Sequence, residues 1–190
     1  DTKALQYIAG TSGYEFKLLS AVIEVNNAQK YTVLNKLRDE VRDLRGKKIA
    51  VLGLAFKPMT DDLREAPSIP IIHALLEEGA QVYAHDPVAL EKARPLLPDH
   101  VHLCRSVHET LEGAEAALLI TEWPEYLSLD PGYIRRAMKR PLWIDGRNAL
   151  NPAAYPDIEY RGVGISGSGQ KKPTMEAKEY AYANFSAFMA

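Results

Sequence analysis

Short apolar runs alternate with helical stretches between Lys48 and Gly164, and this alternation most restricts the folds open to the chain. "KKIAVLGLAF" opens the series as a buried strand, Lys48 to Leu54, rich in β-branched residues. "APSIPIIHALLEEGA" follows as a helix that stops at Gly79, with Pro67 and Pro70 confined to a first turn where a missing N–H is tolerated. "QVYAHDP", "VHLC", "AALLITEW" and "PLWIDGR" read as further strands and "IEYRGVG" as a sixth at an edge. Helices fall at Val88–Leu97, Val107–Leu111 and Pro131–Met138. Strands separated by helices at this spacing predict a doubly wound parallel sheet, an α/β fold of Rossmann-like type.

Tyr14 to Leu44 contains no proline or glycine and leads to Gly46, so it predicts one long helix, roughly 45 Å from end to end. At 100° per residue, Phe16, Leu19, Ile23, Leu34, Leu37, Val41 and Leu44 share a stripe that can dock on the sheet domain. Leu18, Ala21, Val22 and Val25 form a second apolar face, and a helix apolar on two faces must bury both. Beyond Gly164, "SGSGQKK" reads as a flexible linker and "TMEAKEYAYANFSAFMA" as a segment able to form a short helix. The divisions are therefore 1–46, 47–164 and 165–190.

Among the 190 residues, 23 Lys and Arg balance 25 Asp and Glu, for a net charge of −2. That is no footprint for nucleic acid or a membrane surface. No apolar run is long enough to span a bilayer, and no signal peptide opens the chain. The single cysteine, Cys104, excludes an internal disulfide and is consistent with a reducing, cytoplasmic compartment. The first residue is Asp1 and not Met, within sequence that reads as structured, so the chain is expected to be part of a longer protein.

Open α/β sheets bind ligands beyond the carboxyl ends of their strands, where strand order reverses. The turn to inspect is "GLAFKPMTDDLREAPS", Gly53 to Ser68. A dinucleotide cradle needs three glycines and only Gly53 is present, so a dinucleotide is not expected there in the usual way. Phe56 can pack on a flat ring or sugar, Lys57 can meet a phosphate, and the helix N-terminus near Pro67 adds partial positive charge. The opposing reading has Phe56 capping the core, Lys57 solvated, and Asp61, Asp62, Arg64 and Glu65 forming a local ion-pair loop. Residue types alone leave both open. Asp86 in "HDP" reads as a turn or helix cap, and Cys104 as a small buried hydrophobe rather than a nucleophile. The five histidines show no metal-ligand spacing, and no metal is expected.

"KIAVLGLAFKPMTDDLREAPS" resembles the C-terminal domain of the UDP-glucose/GDP-mannose dehydrogenase family. "DTKAL", "LLSAVIEVNNAQK", "TEWPEY" and "IDGRNAL" are similar to further stretches of that family in the same order. The resemblance covers Asp1 to about Gly164. It implies an NAD-dependent, four-electron oxidation of a sugar-nucleotide C6 alcohol to a carboxylate, through a cysteine-bound thiohemiacetal and thioester that water hydrolyses. Phe56, Lys57 and Arg147 match substrate-binding positions, Arg64 a residue reaching the NAD cofactor from across the cleft, and Asp1 a catalytic aspartate that orients the hydrolytic water. The cysteine, a lysine and the NAD domain would precede Asp1, so the chain alone is expected to bind the UDP-sugar and dimerise through the long helix without oxidising anything. UDP-glucose is the leading substrate. GDP-mannose, UDP-N-acetylmannosamine and a non-catalytic nucleotide-binding module are the alternatives.

Overall fold

A computed structural model describes residues 2–164; Asp1 and residues 165–190, with their expected linker and short helix, lie outside the described residues. Three helices come first: α1 (Thr2–Thr11), α2 (Lys17–Gln29) and α3 (Thr32–Glu40). The sheet domain follows with β1 (Lys48–Leu52), α4 (Ser68–Glu77), β2 (Gln81–His85), α5 (Leu90–Ala93), β3 (His102–Leu103) and α6 (Val107–Leu111). It continues with β4 (Ala116–Leu119), α7 (Pro124–Leu127), α8 (Pro131–Ala137), β5 (Leu142–Asp145) and β6 (Glu159–Gly162). All strands are parallel, in the order β3-β2-β1-β4-β5-β6. Every residue of β4 and β5 is buried, as in a sheet covered on both faces, whereas edge strand β6 alternates. The strand order reverses between β1 and β4, which sets the ligand-binding crevice of such sheets at the carboxyl ends of those two strands.

The single helix expected from Tyr14 to Leu44 is two helices. Lys30 and Tyr31 keep right-handed dihedrals, but the Tyr31 ψ of −3° and its N–H bond to the Ala28 carbonyl tighten the chain into a 3₁₀ step between α2 and α3. Asn26, Asn27, Tyr31, Thr32 and Val33 are all weak helix formers, so the ladder is interrupted where propensity is lowest. The helix also ends at Glu40, not near Gly46, because a residue distant in sequence captures its terminus. Arg140 Nη1 donates to the Glu40 carbonyl at 3.0 Å, and its Nη2 lies 2.6 Å from Glu159 and 3.3 Å from the Glu40 carboxylate, which also pairs with Arg161. Val41 and Leu44 then leave the helical path while remaining buried with Val33, Leu34 and Leu37 against the sheet. Gly46, at φ +68°, instead turns the chain into β1, its N–H bonded to the Gly79 carbonyl.

The rest of the pattern is close to expectation. The Val88–Leu97 helix shortens to α5 and a 3₁₀ turn over Arg94–Leu96, with Pro95 in that turn. Helix α7, begun by Pro124 at its first position, was not anticipated. Leu18, Val22 and Val25 of α2 are exposed, as are Leu5, Tyr7 and Ile8 of α1, so the second apolar face has no cover within the described residues.

Candidate functional site

A groove of about 840 Å³ opens at the carboxyl ends of β1, β4 and β5, with α2 as its opposite wall. The strand ends contribute Phe56, Lys57, Ile120, Gly146 and Arg147; the helical wall contributes Ile23, Asn26, Asn27 and Lys30.

The turn after β1 is built around a glycine that nothing can replace. Gly53 has φ +92°, and a Cβ there would lie 2.6 Å from the Thr121 nitrogen and 2.5 Å from its Cβ. The Thr121 hydroxyl donates to the Ala55 carbonyl, and the Ser68 hydroxyl to that of Leu54 at 2.6 Å. Asp86, only 2% exposed, completes the frame. Its Oδ2 accepts from the N–H groups of Leu54 (2.8 Å) and Ala55 (3.0 Å) and from Trp123 Nε1 (3.1 Å), and its Oδ1 from those of Val88 (2.9 Å) and Ala89 (2.7 Å). Asp86 therefore does cap the chain entering α5, and it also fastens the β1 turn to β2 and to Trp123. The Phe56 N–H bonds to the Asp62 carbonyl, and from this fixed backbone Phe56 and Lys57 project to the groove. Phe56 does not cap the core: it is 49% exposed.

The turn after β5 uses the same device. Buried Asp145 accepts from the N–H groups of Arg147 (2.8 Å), Ala149 (2.9 Å) and Leu150 (2.9 Å) and from the Tyr160 hydroxyl (3.1 Å). Gly146 lies so close to α3 that a Cβ would come within 2.8 Å of Val33 Cγ2 and 2.9 Å of the Leu119 carbonyl. Arg147 then reaches Glu122, its Nε at 2.6 Å and Nη2 at 3.0 Å from the two carboxylate oxygens. Burial, the largest single influence, would raise the Glu122 carboxyl; the Arg147 hydrogen bonds, a backbone N–H and the Arg147 charge together outweigh it and hold the group below the ordinary carboxylate range.

Of the residues singled out from the sequence, Phe56, Lys57 and Arg147 come together in this groove. Arg64 does not join them. Its side chain is 89% exposed and grips Asp62, with Nη2 2.7 Å from the carboxylate, beside a shallow depression shared with Lys92 and Leu96. That guanidinium holds the Asp62 carboxyl well below the usual range. Within the loop, Asp62 pairs with Arg64. Asp61 pairs outside the loop with Lys92 at 2.6 Å, and Glu65 with Lys30 at 3.4 Å. Asp1 lies outside the described residues. The sequence reading missed Asn26, Asn27 and Lys30 as groove residues. Their signal was a polar cluster at i, i+1 and i+4 spacing following the apolar positions of α2.

Cys104 is 1% exposed and burial pushes its thiol up, so it is a poor nucleophile. Among the described residues no group of three or more His, Cys, Asp or Glu side chains is arranged to hold a metal ion. Nor does the β1 turn fit a dinucleotide: it has one glycine, and α4 begins only at Ser68, so no helix N-terminus abuts that glycine as a pyrophosphate cradle requires.

The family model for the UDP-glucose/GDP-mannose dehydrogenase family, UDP binding domain, matches residues 50–152. The chain belongs to the UDP-glucose/GDP-mannose dehydrogenase family. Phe56, Lys57, Glu122 and Arg147 all lie within the UDP binding domain so matched. The UDP-glucose 6-dehydrogenase TuaD of Bacillus subtilis is 42% identical over 80% of this chain and 33% of its own length. The UDP-glucose 6-dehydrogenase of Pseudomonas aeruginosa is 40% identical over 90% of this chain and 40% of its own. Among solved structures, a UDP-glucose dehydrogenase from Pyrobaculum islandicum superposes with a TM-score of 0.75 at 34% identity, covering 87% of this chain and 36% of that one. The chain thus spans well under half the length of these family members.

Proposed function

We propose that this chain supplies the nucleotide-sugar site of a UDP-sugar dehydrogenase, with UDP-glucose as the substrate. The observation that carries the reading is the meeting of Phe56, Lys57 and Arg147 in one groove at the strand-order reversal, inside the matched UDP binding domain. Its volume, about 840 Å³, lies in the range of small-ligand sites. Phe56 would pack on the base or a sugar, while Lys57 and Arg147 would meet the diphosphate, helped by the N-terminus of α4 beside Pro67. Residues 47–164 would form this domain and residues 1–46 the end of a helical dimerisation domain.

The described residues offer neither a dinucleotide cradle nor an accessible thiol. The NAD-dependent oxidation through a cysteine thioester is therefore proposed for the whole protein, in the cytoplasm, with Asp1 beside the reacting carbon and Arg64 reaching the cofactor. Residues 2–164 would bind substrate and leave the chemistry to other parts. Calorimetric titration of the protein with UDP, GDP and NAD tests the binding role. UDP is expected to bind at least tenfold more tightly than GDP, about 1.4 kcal/mol. GDP binding as tight as UDP would favour the GDP-mannose alternative, and NAD displacing bound UDP would defeat the reading.

A homodimer through α2 is part of the proposal. Leu18 is 72% and Val25 60% exposed on α2, and Ile8 59% on α1, the helix packed against it; apolar side chains left uncovered in this way mark an interface. A twofold axis through it would let the patch meet itself. Leu18→Asp with Val25→Asp is expected to convert a dimer to monomer at roughly ten to fifty micromolar; Val22 is spared because it lines the groove. A monomeric unmutated chain in sedimentation at that concentration would rule the dimer out.

A further inference from the structure

Two of the three groove cations are already paired with carboxylates. Lys30 meets Glu65, and Arg147 meets Glu122 in the tighter, two-point contact. A carboxylate beside a diphosphate site repels the ligand, so its presence there calls for a compensating effect.

The geometry supplies one. Arg147 uses Nε and one N–H of Nη2 on Glu122, which is its side-on edge. The end-on edge, Nη1 with the second N–H of Nη2, has no hydrogen-bond partner among the described residues, and Arg147 lines the groove. That edge is the other of the two forks with which a guanidinium grips a phosphate. Both ends of the pair are anchored independently. Glu122 lies between Thr121 and Trp123, which are 1% and 5% exposed and bonded to the Ala55 carbonyl and to Asp86. The Arg147 N–H is fixed on buried Asp145.

We propose that Glu122 is a positioning residue, holding the side-on edge of Arg147 so that the end-on edge is presented, already ordered, to a phosphate of the nucleotide. This rests on the reading of the groove as a UDP site. Without Glu122 the arginine keeps its charge but must lose side-chain entropy each time a ligand binds. A Glu122 that served only as a counter-charge would act with the opposite sign, because removing it would strengthen anion binding.

UDP affinity measured by calorimetry in the protein carrying this chain separates these cases. Glu122→Ala is expected to weaken UDP binding about fivefold, the scale of one immobilised rotamer-rich side chain. Glu122→Gln keeps one acceptor oxygen at the same reach but turns its NH₂ toward the other Arg147 N–H, so it should restore only part of that loss. In an Arg147→Ala background, Glu122→Ala should cause no further loss, and relief of the carboxylate's repulsion should if anything tighten binding. Should the alanine variant fail to fold, Glu122→Asp takes its place: it keeps the charge, withdraws the carboxylate by one methylene, and should also weaken binding. Unchanged or tighter binding in the alanine or aspartate variant, a glutamine variant as weak as the alanine one, or an equal loss when Arg147 is absent would each overturn the proposal. Arg147→Ala with undiminished UDP affinity would instead remove the groove reading beneath it.

Discussion

Asp86→Ala is expected to cost roughly 3–5 kcal/mol of stability, at the top of the range for single substitutions. The side chain accepts from four backbone N–H groups and the Trp123 indole, and it is almost wholly buried. Its removal strands several donors where water cannot reach them, at about 1–3 kcal/mol each before relaxation. Asparagine offers no rescue. It keeps one acceptor but turns an NH₂ toward N–H groups that need oxygen. Asp86→Asn should therefore lose nearly as much as Asp86→Ala, and both should slacken the Gly53–Phe56 turn that carries Lys57. Urea unfolding measures this directly: a midpoint shift worth less than about 1 kcal/mol in either variant would mean that Asp86 is not the fastening of the turn.

The sheet was legible in the sequence because its central strands β1, β4 and β5 are buried on both faces and so read as continuous apolar runs between glycine and proline breaks. Helix α6 falls on the very residues expected, Val107–Leu111. Failures occur where distant residues decide local structure. Nothing between Tyr14 and Leu44 reveals that Arg140, a hundred residues beyond Glu40, captures the end of α3. Asp86 was readable as a turn residue from "HDP", yet its bonds to Leu54, Ala55 and Trp123 exist only in the folded chain. The site was legible in part. Family resemblance pointed to Phe56, Lys57 and Arg147 as substrate-binding positions, and these share a groove; it pointed to Arg64 as a cofactor contact, and its guanidinium pairs with Asp62 outside that groove. Lys30 and Asn26 escaped notice because α2 was read for its apolar faces alone, and the polar residues between them became a wall only when the helix came down over the strand ends.

The central claim, that this groove binds the diphosphate of a UDP-sugar, rests most directly on Lys57. Lys57 makes no ion pair or hydrogen bond among the described residues, in contrast to Lys30 and Arg147. Its removal therefore leaves no partner stranded, and Lys57→Ala should fold and melt as the parent does. If the ammonium meets a phosphate, the same variant should lose about 1.5–3 kcal/mol of UDP-glucose affinity, the range for hydrogen bonds to charged groups. That corresponds to a dissociation constant about ten- to a hundredfold higher. The measurement is calorimetric titration of UDP-glucose into the parent and Lys57→Ala proteins at matched ionic strength. A weakened constant at unchanged stability is the predicted result, and equal constants would contradict the assignment of the groove.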